Sequence, residues 1–194
     1  MTACVFGATC VLGGAGLHAV LALQEAPARV FNGTPDRIPM RYWLMKSEPD
    51  EMSIDDLAQA PAQTTAWFGV RNYLARNYMR DEMRVGDRAF FYHSSCPEPG
   101  IAGVVEISAL AYPDATQFDR KSPYVDPKAT REAPRWFNVD VKLVAKMRLI
   151  SLAELRAQPK LVNLITLQRG NRLSITPVAP ADWKFIVRLA AKKT

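Results

Sequence analysis

Downstream of residue 40 the apolar positions fall into short runs of two distinct periods, separated by Pro, Gly and Asp. Residues 42–46 read as a first strand, ended by Ser47-Glu48-Pro49, because Pro49 holds the residue before it extended. Ser53 followed by Asp56 has the spacing of a capping box and opens a short helix through Ala60, which Pro61 stops. The spacing predicts a second helix over 72–83, with Leu74 and Tyr78 facing the core, Arg76 and Arg80 on another face, and Gly86 as the stop. Residues 88–94 and 101–111 are strand-like runs joined by Cys96-Pro97-Glu98-Pro99-Gly100 and pair as a hairpin. The clearest strand is 136–146, where Phe137, Val139, Val141 and Leu143 alternate with Asn138, Asp140 and Lys142. Ser151 with Glu154 caps a further helix, and 161–167 forms another short one. Residues 173–177 return as a strand, and a terminal helix over 180–189 turns Trp183, Ile186 and Val187 inward. Short strands scattered among short helices, without a βαβ repeat, argue for an α+β barrel decorated by helices. The Pro- and Asp-rich stretch 112–133 is a long connection and a candidate functional loop.

Composition narrows this picture. A chain of 194 residues with 48% apolar content holds one good core plus an appendage. The first forty residues carry Arg29 and Arg37 against Glu25 and Asp36, so the whole +6 falls on the remainder. A basic globular part with interleaved aromatics suits a phosphate backbone, although charge alone does not decide it. Cys4 and Cys10 lie in the appendage and only Cys96 in the domain, which excludes a disulfide framework or a paired zinc motif and points to a reducing, cytoplasmic setting. His93 is alone in the domain, so any His-dependent relay has to use it.

Residues 3–23 are uncharged and apolar, but no Lys or Arg precedes them, and glycines with His18 dilute the run, which argues against a leader or membrane segment. The stretch 5–13 resembles the opening of a dinucleotide-binding unit, yet no βαβ repeat follows to complete the crevice. With Met40 directly before the first strand, residues 1–39 read as a poorly ordered extension or a mis-assigned start.

Four segments carry candidate chemistry: Tyr42-Trp-Leu-Met-Lys-Ser-Glu-Pro49, Trp67-Phe-Gly-Val-Arg-Asn-Tyr73, Phe90-Phe-Tyr-His-Ser94 and Pro134-Arg-Trp-Phe137. Each sets a large ring beside a strong hydrogen-bonding group, which is what a flat, edge-polar ligand such as a nucleobase needs. Trp67 sits in a loop and is either a stacking platform or ordinary packing. Arg71 and Asn72 open a helix, where Asn72 is either a cap or a reader of a base edge and Arg71 either an ion pair or a phosphate contact. His93 and Ser94 end a strand after Tyr92; His93 is either a structural residue or a hydrogen-bonding partner of the ligand. Lys46, Ser47 and Glu48 form either a turn with a surface ion pair or a pocket wall. Trp43 reads equally as core or site, whereas Trp183, at helical spacing with other apolar residues, reads as core.

The pieces WLMKSEP, GVRNYLARN, GDRAFFYHS, PRWFNVDV and RLSITPV, in this order, resemble the EVE domain, a PUA-like barrel family, from about Arg41 to Leu189. The resemblance implies a nucleic-acid-binding module that recognises a modified base, a modified cytosine such as 5-methylcytosine, in DNA or RNA, without chemistry on it. The implied pocket comprises Lys46, Ser47, Glu48, Trp67, Val70, Arg71, Asn72, Tyr92, His93 and Ser94. Arg76, Asn77, Tyr124, Asp126, Arg135, Trp136 and Arg172 are candidates for its mouth or for backbone contacts. Neither cofactor nor metal nor membrane is expected, and the chain is expected to be a monomer. Val70 and Trp67 are candidates for an apolar wall, on which one methyl gains ~1 kcal/mol. The alternative is a PUA-like hydrolase acting on a modified nucleoside through Lys46 and Glu48, which share a strand face, although Pro49 breaks that strand.

A chain beginning at Met40 is expected to melt at the same temperature as the full chain, since the first 39 residues hold neither the net charge nor the pocket segments. A loss of several degrees, each few degrees being about 1 kcal/mol for a domain of this size, would show that the segment packs on the domain.

Overall fold

The computed structural model describes residues 39–192; the expectations for the leading extension, including the resemblance at 5–13, lie outside the described residues. Six strands form one mixed sheet in the order β2-β5-β4-β3-β1-β6. They are β1 (Tyr42–Ser47), β2 (Thr64–Ala66), β3 (Arg88–His93), β4 (Gly100–Pro113), β5 (Phe137–Ser151) and β6 (Ile175–Val178). Helices α1 (Ile54–Gln59), α2 (Tyr73–Asn77), α3 (Leu152–Arg156) and α4 (Pro180–Ala191) decorate it. Strands β1 and β3 run parallel, with Lys46 opposite Tyr92 and Ser47 opposite His93, while every other neighbouring pair is antiparallel. Among the described residues no helix is long and apolar enough to cross a membrane.

The central strands are buried on both faces, which is why they read as continuous apolar runs. Trp43 and Met45 of β1 and Ala89 and Phe91 of β3 face a core shared with α1 and α2. Leu44 of β1 and Phe90 and Tyr92 of β3 face a second core built with α3 and α4. There Trp183 stacks on Phe90, with ring centroids 4.0 Å apart, and on Tyr42 at 4.5 Å. Trp43 is also core, its indole N–H donating to the buried Asp87 carboxylate at 3.1 Å.

Local signals act as their chemistry dictates. Ser53 and Asp56 form the reciprocal capping box of α1, and the Ser151 hydroxyl accepts from the Glu154 backbone N–H at the start of α3. Helix α2 departs from expectation: after Asn77 the chain continues as a π-helical turn through Glu82. Ala75, Met79 and Met83, four residues apart, form the buried face, while Leu74, expected in the core, is 46% exposed on the other side of the helix. Strand β5 runs five residues beyond its expected end, and Asn138, expected on the wet face, is buried beneath it. The region 161–167 holds only short 3-10 turns, Pro159–Leu161 and Ile165–Leu167. Strand β2, which no period announced, follows a tight turn in which Ala62 and Gln63 both take left-handed backbone angles, φ 53° and 52°.

Trp183→Ala is expected to destabilise the fold by about 3–5 kcal/mol in denaturant unfolding, as deletion of a large buried ring does. Leu74→Ala, on the exposed side of α2, is expected to stay within about 0.5 kcal/mol. A large loss at Leu74 would contradict its exposed placement on α2.

Candidate nucleic-acid interface

A cavity of about 490 Å³ opens where the two edges of the sheet come together. Thr65 and Ala66 of β2, at one edge of the sheet, line it; so do Lys46 and Ser47 of β1 and Ser174 just before β6, at the other. The remaining walls are the turns that follow these strands: Glu48, Glu51 and Met52 after β1, residues 67–72 after β2, Ser94 and Ser95 after β3, with Tyr124 and Arg172 at the sides. The volume falls in the range of about 300–1,000 Å³ usual for small-molecule sites.

Residues 67–72 form the most constrained wall. The Trp67 backbone N–H donates to Val139 O at 2.8 Å and extends the β2–β5 ladder, so this tryptophan is not on an open loop as the sequence suggested. Trp67 is 7% exposed, and its ring packs edge-on to Phe91 at 5.4 Å, in the core and at the cavity wall at once. Its indole N–H has no acceptor among the described residues, whereas those of Trp43 and Trp136 donate to Asp87 and Asp126. Phe68 beside it is 37% exposed, lines the cavity, and meets the Tyr124 ring edge-on at 6.1 Å. Gly69 has φ 78°, and a Cβ there would lie 2.9 Å from the Tyr124 ring, so two separate constraints require glycine.

Arg71 lines the cavity but is fully engaged. Its Nε donates to Tyr124 O at 2.9 Å, Nη1 to Asp114 Oδ2 at 2.8 Å and to Val70 O, and Nη2 to Thr116 Oγ1 and Tyr124 O. The ion-pair alternative therefore describes this residue, which ties the wall to the 114–126 segment. Asp114 is wholly buried and also accepts from the Gly69 N–H at 3.1 Å and from Thr116. Burial pushes its carboxyl pKa up, but the bonds from Thr116, Arg71 and Gly69 outweigh that and hold it below the usual range. Asn72 caps α2, its Oδ1 accepting from Leu74 and Ala75 N–H, and its amide NH2 stays unbonded at the cavity.

Across the cavity, Ser47 Oγ donates to Met52 O at 2.7 Å and Ser94 Oγ to Ser47 O at 3.2 Å, fixing the turns. Lys46 is half-buried, its ammonium has neither ion pair nor hydrogen bond among the described residues, and burial lowers its pKa. Tyr124 donates from its hydroxyl to Glu51; burial first, then that bond, push its pKa to about 12.

Of the residues proposed from sequence, Lys46, Ser47, Glu48, Trp67, Val70, Arg71, Asn72, Ser94, Tyr124 and Arg172 line this cavity. Tyr92 and His93 do not. Tyr92 points into the second core by strand alternation, and His93 Nε2 accepts the Ile54 backbone N–H at 3.1 Å at the start of α1, its pKa lowered by burial. Arg76, Asn77, Asp126, Arg135 and Trp136 also lie off the cavity, knitted into one cluster. There Trp136 donates to Asp126 at 2.7 Å, Arg135 pairs with Asp126, Arg76 donates to Asn77 Oδ1 and Arg135 O, and Tyr73 stacks on Trp136. Sequence reasoning missed Glu51, Met52, Thr65, Ala66, Phe68, Gly69, Ser95 and Ser174; Phe68 alone carried a signal, as a ring inside a segment already singled out. Among the described residues no group of three or more His, Cys, Asp or Glu is placed to hold a metal ion.

A mixed sheet rolled until its two edges share a cavity, with short helices over both cores, is a PUA-like α+β fold. The chain belongs to the EVE domain family, whose pattern residues 41–189 match. It is 44% identical to human thymocyte nuclear protein 1 over 170 residues, covering 78% of this chain and 75% of that one. The crystal structure of human THYN1 in complex with 5-methylcytosine-containing DNA superposes with a TM-score of 0.74 at 43% identity, covering 79% of this chain and 99% of that one. A crystal structure from Pseudomonas syringae gives a TM-score of 0.73 at 49% identity, covering 77% and 99%.

Asp114 sets an acid limit on this wall. Because its folded-state pKa lies below the unfolded value of about 3.9, its stabilisation is complete above that value and is lost as pH falls through the depressed one. Asp114→Asn is expected to lower the melting temperature at neutral pH and to flatten the decline of melting temperature below about pH 4. An unchanged acid profile would contradict the assignment.

Proposed function

We propose that the chain binds a modified cytosine in DNA by taking the base into this cavity, and that it performs no chemistry there. The observation that carries the reading is a cavity that sets aromatic and apolar walls beside hydrogen-bonding groups left unused: the Lys46 ammonium, the Asn72 amide and the Trp67 indole N–H, with no partner for any of them among the described residues. Donors that a ligand shields from water are costly unless the ligand supplies acceptors, and a base edge does so. Trp67 and Val70 give a buried apolar wall against which a methyl group can pack, and the exposed ring of Phe68 with the half-buried ring of Tyr124 gives stacking surface at the cavity. That human THYN1 was crystallised with 5-methylcytosine-containing DNA supports the same reading here. Arg172 at the cavity side, with Arg120, Lys121 and Lys128 on the segment that carries Tyr124, makes no ion pair among the described residues and is suited to phosphate contact.

One observation favours a second reading, hydrolysis of a modified nucleoside: Lys46, with its lowered pKa, shares the cavity with Glu48 and Glu51. Mass spectrometry of a 5-methylcytosine oligonucleotide after incubation separates the two. Intact oligonucleotide supports binding alone, and released base supports hydrolysis.

Phe68→Ala is expected to weaken binding of a 5-methylcytosine oligonucleotide by about 1–3 kcal/mol, the value of one base-aromatic stack, with melting unchanged because the ring is exposed. Trp67→Ala is expected to cost folding stability as well, since its ring packs on Phe91. Unaltered affinity in Phe68→Ala, measured by fluorescence anisotropy, would remove this residue from the site.

A further inference from the structure

The cavity is lined by two carboxylates that are each held by one oxygen and leave the other unused. Glu48 Oε1 accepts from Ser95 Oγ at 2.8 Å, and Glu51 Oε1 accepts from the Tyr124 hydroxyl. Neither pairs with Lys46 or with any other cation among the described residues within salt-bridge distance. Carboxylates that line a ligand cavity, oriented but unneutralised, are acceptors only. Lys46, between the sheet edges, is a donor only.

This distribution of donors and acceptors matters because a methyl group cannot by itself identify a methylated cytosine. Thymine carries the same C5-methyl group and is present throughout DNA. An apolar wall therefore accepts both bases alike, and selection has to come from the opposite edge. Cytosine there presents an amine donor beside two acceptors; thymine presents a carbonyl acceptor, an N–H donor and a second carbonyl.

We propose that Glu48 and Glu51 make this cavity selective for a pyrimidine bearing an exocyclic amine, so that it takes 5-methylcytosine and rejects thymine. A free carboxylate oxygen accepts from the amine, and Lys46 donates to the acceptors beside it. With thymine in the same place, a carbonyl oxygen would face a carboxylate, leaving two acceptors opposed with no proton between them. This inference rests on the base-binding reading above and adds to it the groups that discriminate.

The test uses the full chain and three single-stranded oligonucleotides that differ at one central position: 5-methylcytosine, thymine or an abasic site. Single strands remove differences in the cost of unpairing a base. The wild-type protein is expected to bind the 5-methylcytosine strand more tightly than the thymine strand by on the order of tenfold, the usual discrimination of one well-made edge contact. Glu48→Gln/Glu51→Gln keeps a side-chain oxygen that can accept from Ser95 and Tyr124, but adds an amide that donates to a carbonyl; its preference is expected to collapse to within about twofold. Glu48→Gln alone is the second variant, expected to lower the preference in part with an unchanged melting temperature. Equal wild-type affinity for the 5-methylcytosine and thymine strands, both above the abasic one, would overturn the selectivity while leaving base binding intact. Equal affinity for all three strands would overturn base binding and the selectivity with it. A double variant that keeps the wild-type preference would show that other groups select the base, which overturns the assignment to Glu48 and Glu51.

Discussion

The ion pair of Arg71 with Asp114 is the contact on which the site depends. It joins two segments 43 residues apart, with the Asp114 side chain 1% and the Arg71 side chain 22% exposed, and every nitrogen of the guanidinium is bonded to Asp114, Thr116, Val70 or Tyr124. Removing one member of such a pair strands the other, at a cost of about 3–5 kcal/mol when buried. The consequence reaches beyond stability, because the same guanidinium holds the Tyr124 carbonyl and so keeps the Tyr124 ring over Gly69. A side chain that looked like a reader of the ligand is a fixed part of the wall.

That constraint divides the polar lining in two. Arg71, Ser47 and Ser94 spend their hydrogen bonds inside the protein and set the shape of the cavity. Lys46, the Asn72 amide and the Trp67 indole N–H retain theirs. In the proposed reading, shape and recognition are thus carried by different groups. This is the expected organisation of a preorganised site: side chains that meet the ligand are positioned by others that do not.

Much of the fold was legible because it rests on short-range rules. Short apolar runs marked β1, β3 and β4, alternation marked β5, the spacing of Ser53 with Asp56 and of Ser151 with Glu154 marked the starts of α1 and α3, and helical spacing placed Trp183, Ile186 and Val187 inward. What escaped depends on geometry at long range. The π-helical turn after Asn77 cannot be inferred from a period of about 3.6, and the face of α2 that meets the core is that of Ala75 and Met79 and not that of Leu74. The three-residue strand β2 gave no alternation to detect, so Trp67 read as a loop residue until its N–H was found on Val139. Tyr92 and His93 neighbour the cavity in sequence, but one faces the second core and the other is taken up by the N-terminus of α1. Asp114, Gln117 and Asp126 are buried or bonded to partners far along the chain, and no local pattern announces that.

The central claim, that the base itself enters the cavity between β1 and residues 67–72, is most directly tested by NMR titration of the ¹⁵N-labelled protein with a 5-methylcytosine oligonucleotide and its abasic counterpart. The account predicts that the Trp67 indole and Gly69 amide resonances move with the first and stay in place with the second, while residues of the basic 119–128 segment respond to both. Shifts confined to the basic segment, with Trp67 and Gly69 unmoved by the 5-methylcytosine strand, would contradict it.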